Sequence, residues 1–251
     1  MAYLLLTACE TLQEGVVELG ASPALTEVSG DLAFRVDSIA GRASIDDLGL
    51  GEIEPIAMLS ARYETPSIFL HLNAQSWARG GTGTIDTDLE FDGSTLSADT
   101  LVRSRLETTL LDQQIGYWLP VQGAVRTGIM LQVSQAMLQG SLTSIEGLTP
   151  PGVRLNFDFE FPLIAVGPVL EFEQDDWSAS FQASGLKGAV NDSEFSTLQI
   201  QATLEKRLDA NQALALRAEW RELRIDAPFE GERGIVEWRQ PLLQITWSWR
   251  F

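Results

Sequence analysis

From residue 243 to 251 the chain alternates without a break. Leu243, Ile245, Trp247, Trp249 and Phe251 fall on one face, and Gln244, Thr246, Ser248 and Arg250 on the other. A repeat of two residues marks a β-strand with one apolar and one polar side. The same period recurs along the chain, punctuated by Gly, Pro, Asp and Asn, and helical periodicity is almost absent after residue 27. The pattern predicts about ten strands: 28–37, 56–63, 67–77, 101–119, 124–133, 153–172, 177–185, 195–206, 212–223 and 236–251. Eight or twelve strands also fit, because 78–152 parses least clearly. The apolar phase flips between Leu110 and Ile115 and again near Pro162, and a β-bulge is expected at the first of these.

Short turns near residues 65, 121, 175 and 209 alternate with long links at 38–54, 78–100, 134–152, 186–194 and 224–235. Transmembrane barrels have short periplasmic turns and longer extracellular loops. The expected fold is therefore all-β, an antiparallel up-and-down transmembrane β-barrel with both chain ends on the periplasmic side. Residues 27–251 are expected to form the barrel. Residues 1–26 are expected to be a signal remnant or lipid-anchor segment with a periplasmic lead-in.

The last strand resembles the C-terminal strand of bacterial outer-membrane β-barrel proteins, which typically ends in Phe. The layout over 27–251 is similar to the small barrels of the OmpA and OmpW type. This resemblance implies the outer membrane of a Gram-negative bacterium, contact with outer-membrane lipids and lipopolysaccharide, and a monomer. It also implies that the barrel assembly machinery recognises Trp247, Trp249 and Phe251. It carries no specific activity.

Composition supports a barrel over a helical bundle. Mean hydropathy is +0.02, and no stretch approaches the ~18 apolar residues of a spanning helix. Net charge is −18, with 35 acidic against 17 basic residues, which argues against nucleic acid as a partner. Lys187 and Lys206 are the only lysines, and the other bases are Arg, whose planar fork suits fixed pairing with carboxylates. Cys9 follows Leu6, Thr7 and Ala8, a run that resembles a lipoprotein cleavage box. The segment before it lacks Lys and Arg, and its apolar run is short. Lipidation of Cys9 and a trimmed secretory signal both remain open.

Taking the polar face of each strand as inward predicts a lumen network of Arg103, Arg105, Glu107, Arg154, Asp158, Glu160, Arg217, Glu219 and Arg221. Asp31, Arg35, Arg62, Arg126, Glu205 and Arg250 fall on faces of the same kind. Buried charges must be paired, so a narrow barrel would fill with ion pairs; a charged, ion-selecting constriction is the alternative. His71, the single histidine, shares its polar face with Ser67, Asn73 and Gln75. No third group completes a catalytic set, no phosphate loop or nucleophile elbow occurs, and no catalytic residue is assigned. Asp88, Glu90, Asp92 and Asp99 follow the spacing of a calcium loop around Gly93. Glu90 and Asp99 depart from its usual residues, so the segment reads first as the solvated face of an outer hairpin. Its sharper reading is a Ca²⁺ or Mg²⁺ contact near lipopolysaccharide. The leading expectation is a non-enzymatic outer-membrane barrel, structural or a narrow channel with a salt-bridged lumen. An outer-membrane lipid-modifying enzyme and a soluble lipocalin-like binding barrel are the alternatives.

Overall fold

A computed structural model describes residues 15–36, 39–91, 94–120, 124–190, 193–229 and 232–251. Its strands are β1 (Val16–Thr26), β2 (Ser29–Val36), β3 (Ile39–Ser44), β4 (Glu54–Glu64), β5 (Ile68–Ile85), β6 (Leu89–Phe91) and β7 (Ser94–Leu96). They continue as β8 (Thr100–Trp118), β9 (Val125–Glu146), β10 (Arg154–Gln174), β11 (Trp177–Val190), β12 (Ser193–Arg207), β13 (Gln212–Phe229) and β14 (Glu232–Arg250). Ten of them close an antiparallel ring in the order β1-β4-β5-β8-β9-β10-β11-β12-β13-β14, and β14 returns to β1. Strand β14 has two partners on its closing edge. Its C-terminal half pairs with β1, ending at Thr26↔Leu242, and its N-terminal half pairs with β2, beginning at Ser29↔Arg239. Thus β1 and β2 lie end to end along one strand, and β3 continues the wall beyond β2.

Residues 16–26, expected in the lead-in, are the first strand of the barrel. Val17, Leu19, Ala21, Pro23 and Leu25 face outward, and Glu18, Gly20, Ser22, Ala24 and Thr26 face inward. Gly, Ala and Ser at the centre give this strand little hydropathy contrast, which hid its period. Residues 1–14, Cys9 among them, lie outside the described residues.

The expected bulge between Leu110 and Ile115 is also corrected. The β8–β9 register is unbroken from Val102 to Trp118, with its only shift between Leu101 and Val102. Leu106, Leu110, Asp112 and Gln114 all point inward. Strand β10 is equally regular, pairing with β9 from Arg154↔Thr143 to Phe172↔Val125. Its inward positions run Leu155, Phe157, Phe159 and Leu163, then Glu171, all buried. Its outward positions run Arg154, Asn156, Asp158 and Glu160, then Ile164, Val166, Leu170 and Phe172, all exposed. The direction of the side chains never changes; the medium around them does.

The barrel therefore has two halves. In the half that carries the start of β1, the end of β14 and the short turns, apolar side chains cover the outside: Ile129 and Leu131 on β9, Leu198 and Ile200 on β12, Leu214, Leu216 and Trp220 on β13, and Leu243 and Ile245 on β14. Tyr117, Trp177, Trp247 and Trp249 flank them toward the short-turn end, as an aromatic girdle does in spanning barrels. A soluble protein does not leave so large an apolar surface uncovered; this is a belt for hydrocarbon. In the other half the outside is polar and the inside is a dry core. Consequently much of the links expected at 134–152, 186–194 and 224–235 is strand: β9 runs to Glu146, β11 to Val190 and β13 to Phe229.

The segment between β3 and β4 enters the projecting half. Ile45 and Leu48 are fully buried there with Leu32, Ile85, Leu89, Leu96, Leu106, Leu138 and Leu142. Its backbone crosses the inner face of β5 at Gly81 and Gly83, where any Cβ would collide with the carbonyl oxygens of Gly49 and Asp47. Ser104 Oγ donates to Leu48 O at 2.5 Å. Buried Arg79 donates to Leu50 O at 3.0 Å and Thr26 O at 2.7 Å. Its guanidinium lies 4.8 Å from the centre of the Trp77 ring, which leans on Trp238. Outside, the Thr87 hydroxyl holds β3 at Arg42 twice, accepting from its N–H at 3.0 Å and donating to its carbonyl at 2.7 Å.

Candidate functional site: the lumen and the projecting wall

Inside the membrane half, charge is arranged in two layers. The layer at the short-turn mouth joins β1, β4, β9, β10, β12 and β14. Arg62 pairs with Glu64 and with Glu171, the latter at 3.2 Å. Arg126 reaches the same two carboxylates at 2.7 and 3.2 Å and lies 4.3 Å from the centre of the Trp118 ring. Arg250 pairs with Glu18 at 3.2 Å and with Glu205. Glu18, Arg62, Glu64, Arg126, Glu171 and Arg250 line a vestibule of about 480 Å³.

The inner layer centres on Arg221, which donates to Asp112 Oδ2 at 2.5 Å and Glu219 Oε1 at 2.9 Å. All three side chains are buried. An amide cluster beside them is knit by Gln132, which donates to Gln199 Oε1 at 2.5 Å and Ser134 Oγ at 3.0 Å. Ser184 Oγ in turn donates to Gln132 Oε1 at 3.0 Å. Arg217 donates to Asn73 Oδ1 at 3.4 Å. His71 packs against the Phe69 ring at 5.0 Å between centres. The space beside His71, Asn73 and Arg217 is only about 80 Å³. Above this layer the lumen gives way to the apolar core of the projecting half.

Of the nine residues expected in the lumen, Arg217, Glu219 and Arg221 are there. Arg103, Arg105, Glu107, Arg154, Asp158 and Glu160 are on the outer wall of the projecting half. They share their strands' outward faces with lipid-facing residues farther down, and they face water because the wall has left the membrane. Glu107 pairs with Arg105 at 2.7 Å, and Gln139 and Gln135 donate to Asp158 and Glu160 at 3.0 and 2.5 Å. Sequence reasoning missed Glu18, Glu64, Asp112 and Glu171. Asp112 was in reach: it is in phase with Gln114, and only the supposed bulge took it off the inner face.

At the outer tip, Asp88 Oδ1 accepts from Ala98 N at 2.7 Å. Glu90 stands in the β6–β7 hairpin opposite Thr95, and Asp99 has a φ of 57°. Asp92 lies outside the described residues. Among the described residues no three His, Cys, Asp or Glu side chains converge as a metal site. On the wall formed by β2, β3, β13 and β14, charges pair in a ladder. Arg42 reaches Asp31 at 2.5 Å and Glu237 at 3.2 Å, and Arg224 reaches Glu237 at 2.7 Å. The hydrogen bond to Asp31 raises the Arg42 pKa above its ordinary value. Trp247, Trp249 and Phe251 face outward at the short-turn end, with Phe251 78% exposed.

No protein-family model matches the chain, and no curated protein matches its sequence. Solved structures do match. The outer-membrane protease OmpT from Escherichia coli aligns over 93% of this chain and 97% of its own, at 13% identity and a TM-score of 0.58. OprG, an outer-membrane protein from Pseudomonas aeruginosa, aligns over 95% and 96% at 10% identity, with a TM-score of 0.41. Ail of Yersinia pestis, solved with the heparin analogue sucrose octasulfate, aligns over 95% and 99% at 11% identity, with a TM-score of 0.40. The likeness to OmpT is one of fold. The chain has the fold of Gram-negative outer-membrane β-barrels, and its apolar exterior belt sets aside the soluble lipocalin-like alternative.

Proposed function

We propose that this outer-membrane barrel is non-enzymatic and closed, a rigid wall that holds a strongly charged surface above the membrane. One observation carries this reading: two layers of side chains cross the lumen in series. Arg221, Asp112 and Glu219 meet across its inner layer, and the segment 45–53 fills the projecting half with Ile45, Leu48 and Leu50. An ion entering from the mouth meets first a set of charges already paired, then the apolar core around Ile45 and Leu48. His71, the chain's single histidine, is held in the lumen against Phe69, away from both lipid and the outer surface, which supports the non-enzymatic side. Planar-bilayer recording of the refolded protein is the test, with no steady conductance step expected. A large, steady conductance in the unmodified protein would sink the closed reading and promote the channel.

Assembly belongs to the same reading. Trp247, Trp249 and Phe251 form an aromatic outward row where β14 closes on β1, the row a barrel assembly machine would engage. Deleting Phe251 should lower outer-membrane levels in cells far more than the loss of one side chain's burial, ~1.5–3 kcal/mol, would suggest. Normal levels of the truncated protein, measured in isolated outer membranes, would refute the targeting role.

A further inference from the structure

The outer wall of the projecting half is not uniform in charge. Strands β5, β8, β9 and β10 stand side by side, and their registers set outward residues in rows. One row is Thr82, Arg103, Thr143 and Arg154; the next toward the membrane is Gly80, Arg105, Ser141 and Asn156. Three guanidinium groups thus gather in two adjacent rows of a chain whose net charge is −18. Arg105 has Glu107. Arg103 and Arg154, on either side of Thr143, have no ion-pair partner among the described residues. The contrast with the ladder around Arg42 and Glu237 is sharp: there Arg42 and Arg224 each meet a carboxylate. The chain has acids to spare, yet leaves these two arginines uncompensated.

The surface is also concave. Ala78, Gly80 and Thr82 of β5 are short, so the wall drops beside the arginines into a shallow groove of about 690 Å³, with the hydroxyls of Ser141 and Thr143 on its far side. Two interstrand spacings of about 4.8 Å separate the backbones of Arg103 and Arg154 by roughly 10 Å. That is a span two long guanidinium side chains can close on one phosphate, or from which each can hold one in bidentate fashion.

Height decides which phosphate. On β8 the apolar belt ends at Leu111, and Arg105 and Arg103 stand six and eight residues beyond it. At about 3.3 Å per residue on a strand tilted by about 40°, they lie roughly 15–20 Å above the hydrocarbon edge. A headgroup layer is only about 5–8 Å deep. In the rows between these arginines and the belt the same wall carries Glu107, Asp158 and Glu160, which repel lipid phosphate.

We propose that Arg103 and Arg154, with Arg105, Ser141 and Thr143, form a binding site on the outer wall for the phosphate groups of a membrane-anchored phosphorylated saccharide, the core region of lipopolysaccharide. This rests on the outer-membrane reading and deepens it from a general contact with lipopolysaccharide to a named site. The guanidinium groups take the phosphates, the hydroxyls take sugar oxygens, and the short residues of β5 leave room for the rings.

The test uses the full chain refolded in a zwitterionic detergent, titrated with lipopolysaccharide that carries its core phosphates. Arg103→Gln with Arg154→Gln should weaken binding roughly tenfold, while Arg42→Gln, on the paired ladder, should change nothing. Heat-modifiable gel mobility, the mark of a closed barrel, reports that each variant is folded. Lipopolysaccharide lacking the core phosphates should bind the unmodified protein as weakly as the intact form binds the double variant. Equal binding by folded double variant and unmodified protein would refute this site and leave the lipopolysaccharide contact standing. No binding by the unmodified protein would refute both. Glucose 6-phosphate binding as tightly as the anchored saccharide would overturn the membrane-anchored source.

Discussion

Two stretches of β10 lie end to end on one backbone and obey opposite rules. Toward its start Phe157 is turned in and only 4% exposed, while Asp158 faces water outside. Toward its end Ile164 and Val166 are turned out, 46% and 49% exposed, and Glu171 is turned in. The projecting half is built like a soluble β-barrel and the membrane half like the inverse of one. Alternation reports that a strand has two different sides. It does not report which side is the inside; that depends on whether water or hydrocarbon lies beyond the wall.

The sharpest way to strain this contrast is at the ion triad of the membrane half. Arg221→Ala leaves Asp112 and Glu219 buried without their cation, and removing one member of such a set costs about 3–5 kcal/mol. The urea midpoint of the variant in detergent should fall accordingly, and an unchanged midpoint would mean the lumen is wetter than its geometry implies. Next come two substitutions on one face of β9, eight residues apart. Leu131→Arg puts a charge into the lipid belt, where the cost is about 2–4 kcal/mol near the midplane. Gln139→Arg puts the same charge on the projecting wall and should stay within about 0.5 kcal/mol of the unmodified protein. Equal penalties for the pair, from the same urea titrations, would abolish the boundary between the halves. The smallest effect belongs to Thr87→Ala, which removes both bonds to the Arg42 backbone. It should cost about 1 kcal/mol, seen as faster hydrogen exchange at the Arg42 amide while β9 and β10 keep their protection.

Much of this was legible in the sequence, and the rest failed for a physical reason. The period of two gave the strands, and the belt on β12, β13 and β14 reads directly from Leu198, Ile200, Leu214, Leu216, Leu243 and Ile245, which all face out. Arg217, Glu219 and Arg221 point inward because they lie where the lumen is polar. Arg103, Arg105, Glu107, Arg154, Asp158 and Glu160 were placed inside by the same rule, polar means inward, carried past the membrane edge where it reverses. The phase flips at 110–115 and near Pro162 were the sign of that reversal. An imagined bulge absorbed the first of them, and Asp112 was lost with it. Strand β1 escaped for want of contrast, since Gly20, Ala21, Ser22 and Ala24 sit at its centre.

The meeting of β1 with β14 bears on how the molecule comes into being. Val17 and Phe251 exchange backbone hydrogen bonds at the end of that seam, and within it Ser22 reaches Thr246 across 224 positions of chain. Hairpins elsewhere in the ring can zip locally, but this contact joins the first strand of the ring to the last. Bringing such distant ends together costs about 5 kcal/mol of loop entropy. Until that is overcome, two strand edges stand open, and each orphaned amide or carbonyl in hydrocarbon costs several kcal/mol. A chain lacking its last nine residues keeps β1 paired with β4 but leaves its other edge almost wholly open. Closure of the ring therefore waits on β14.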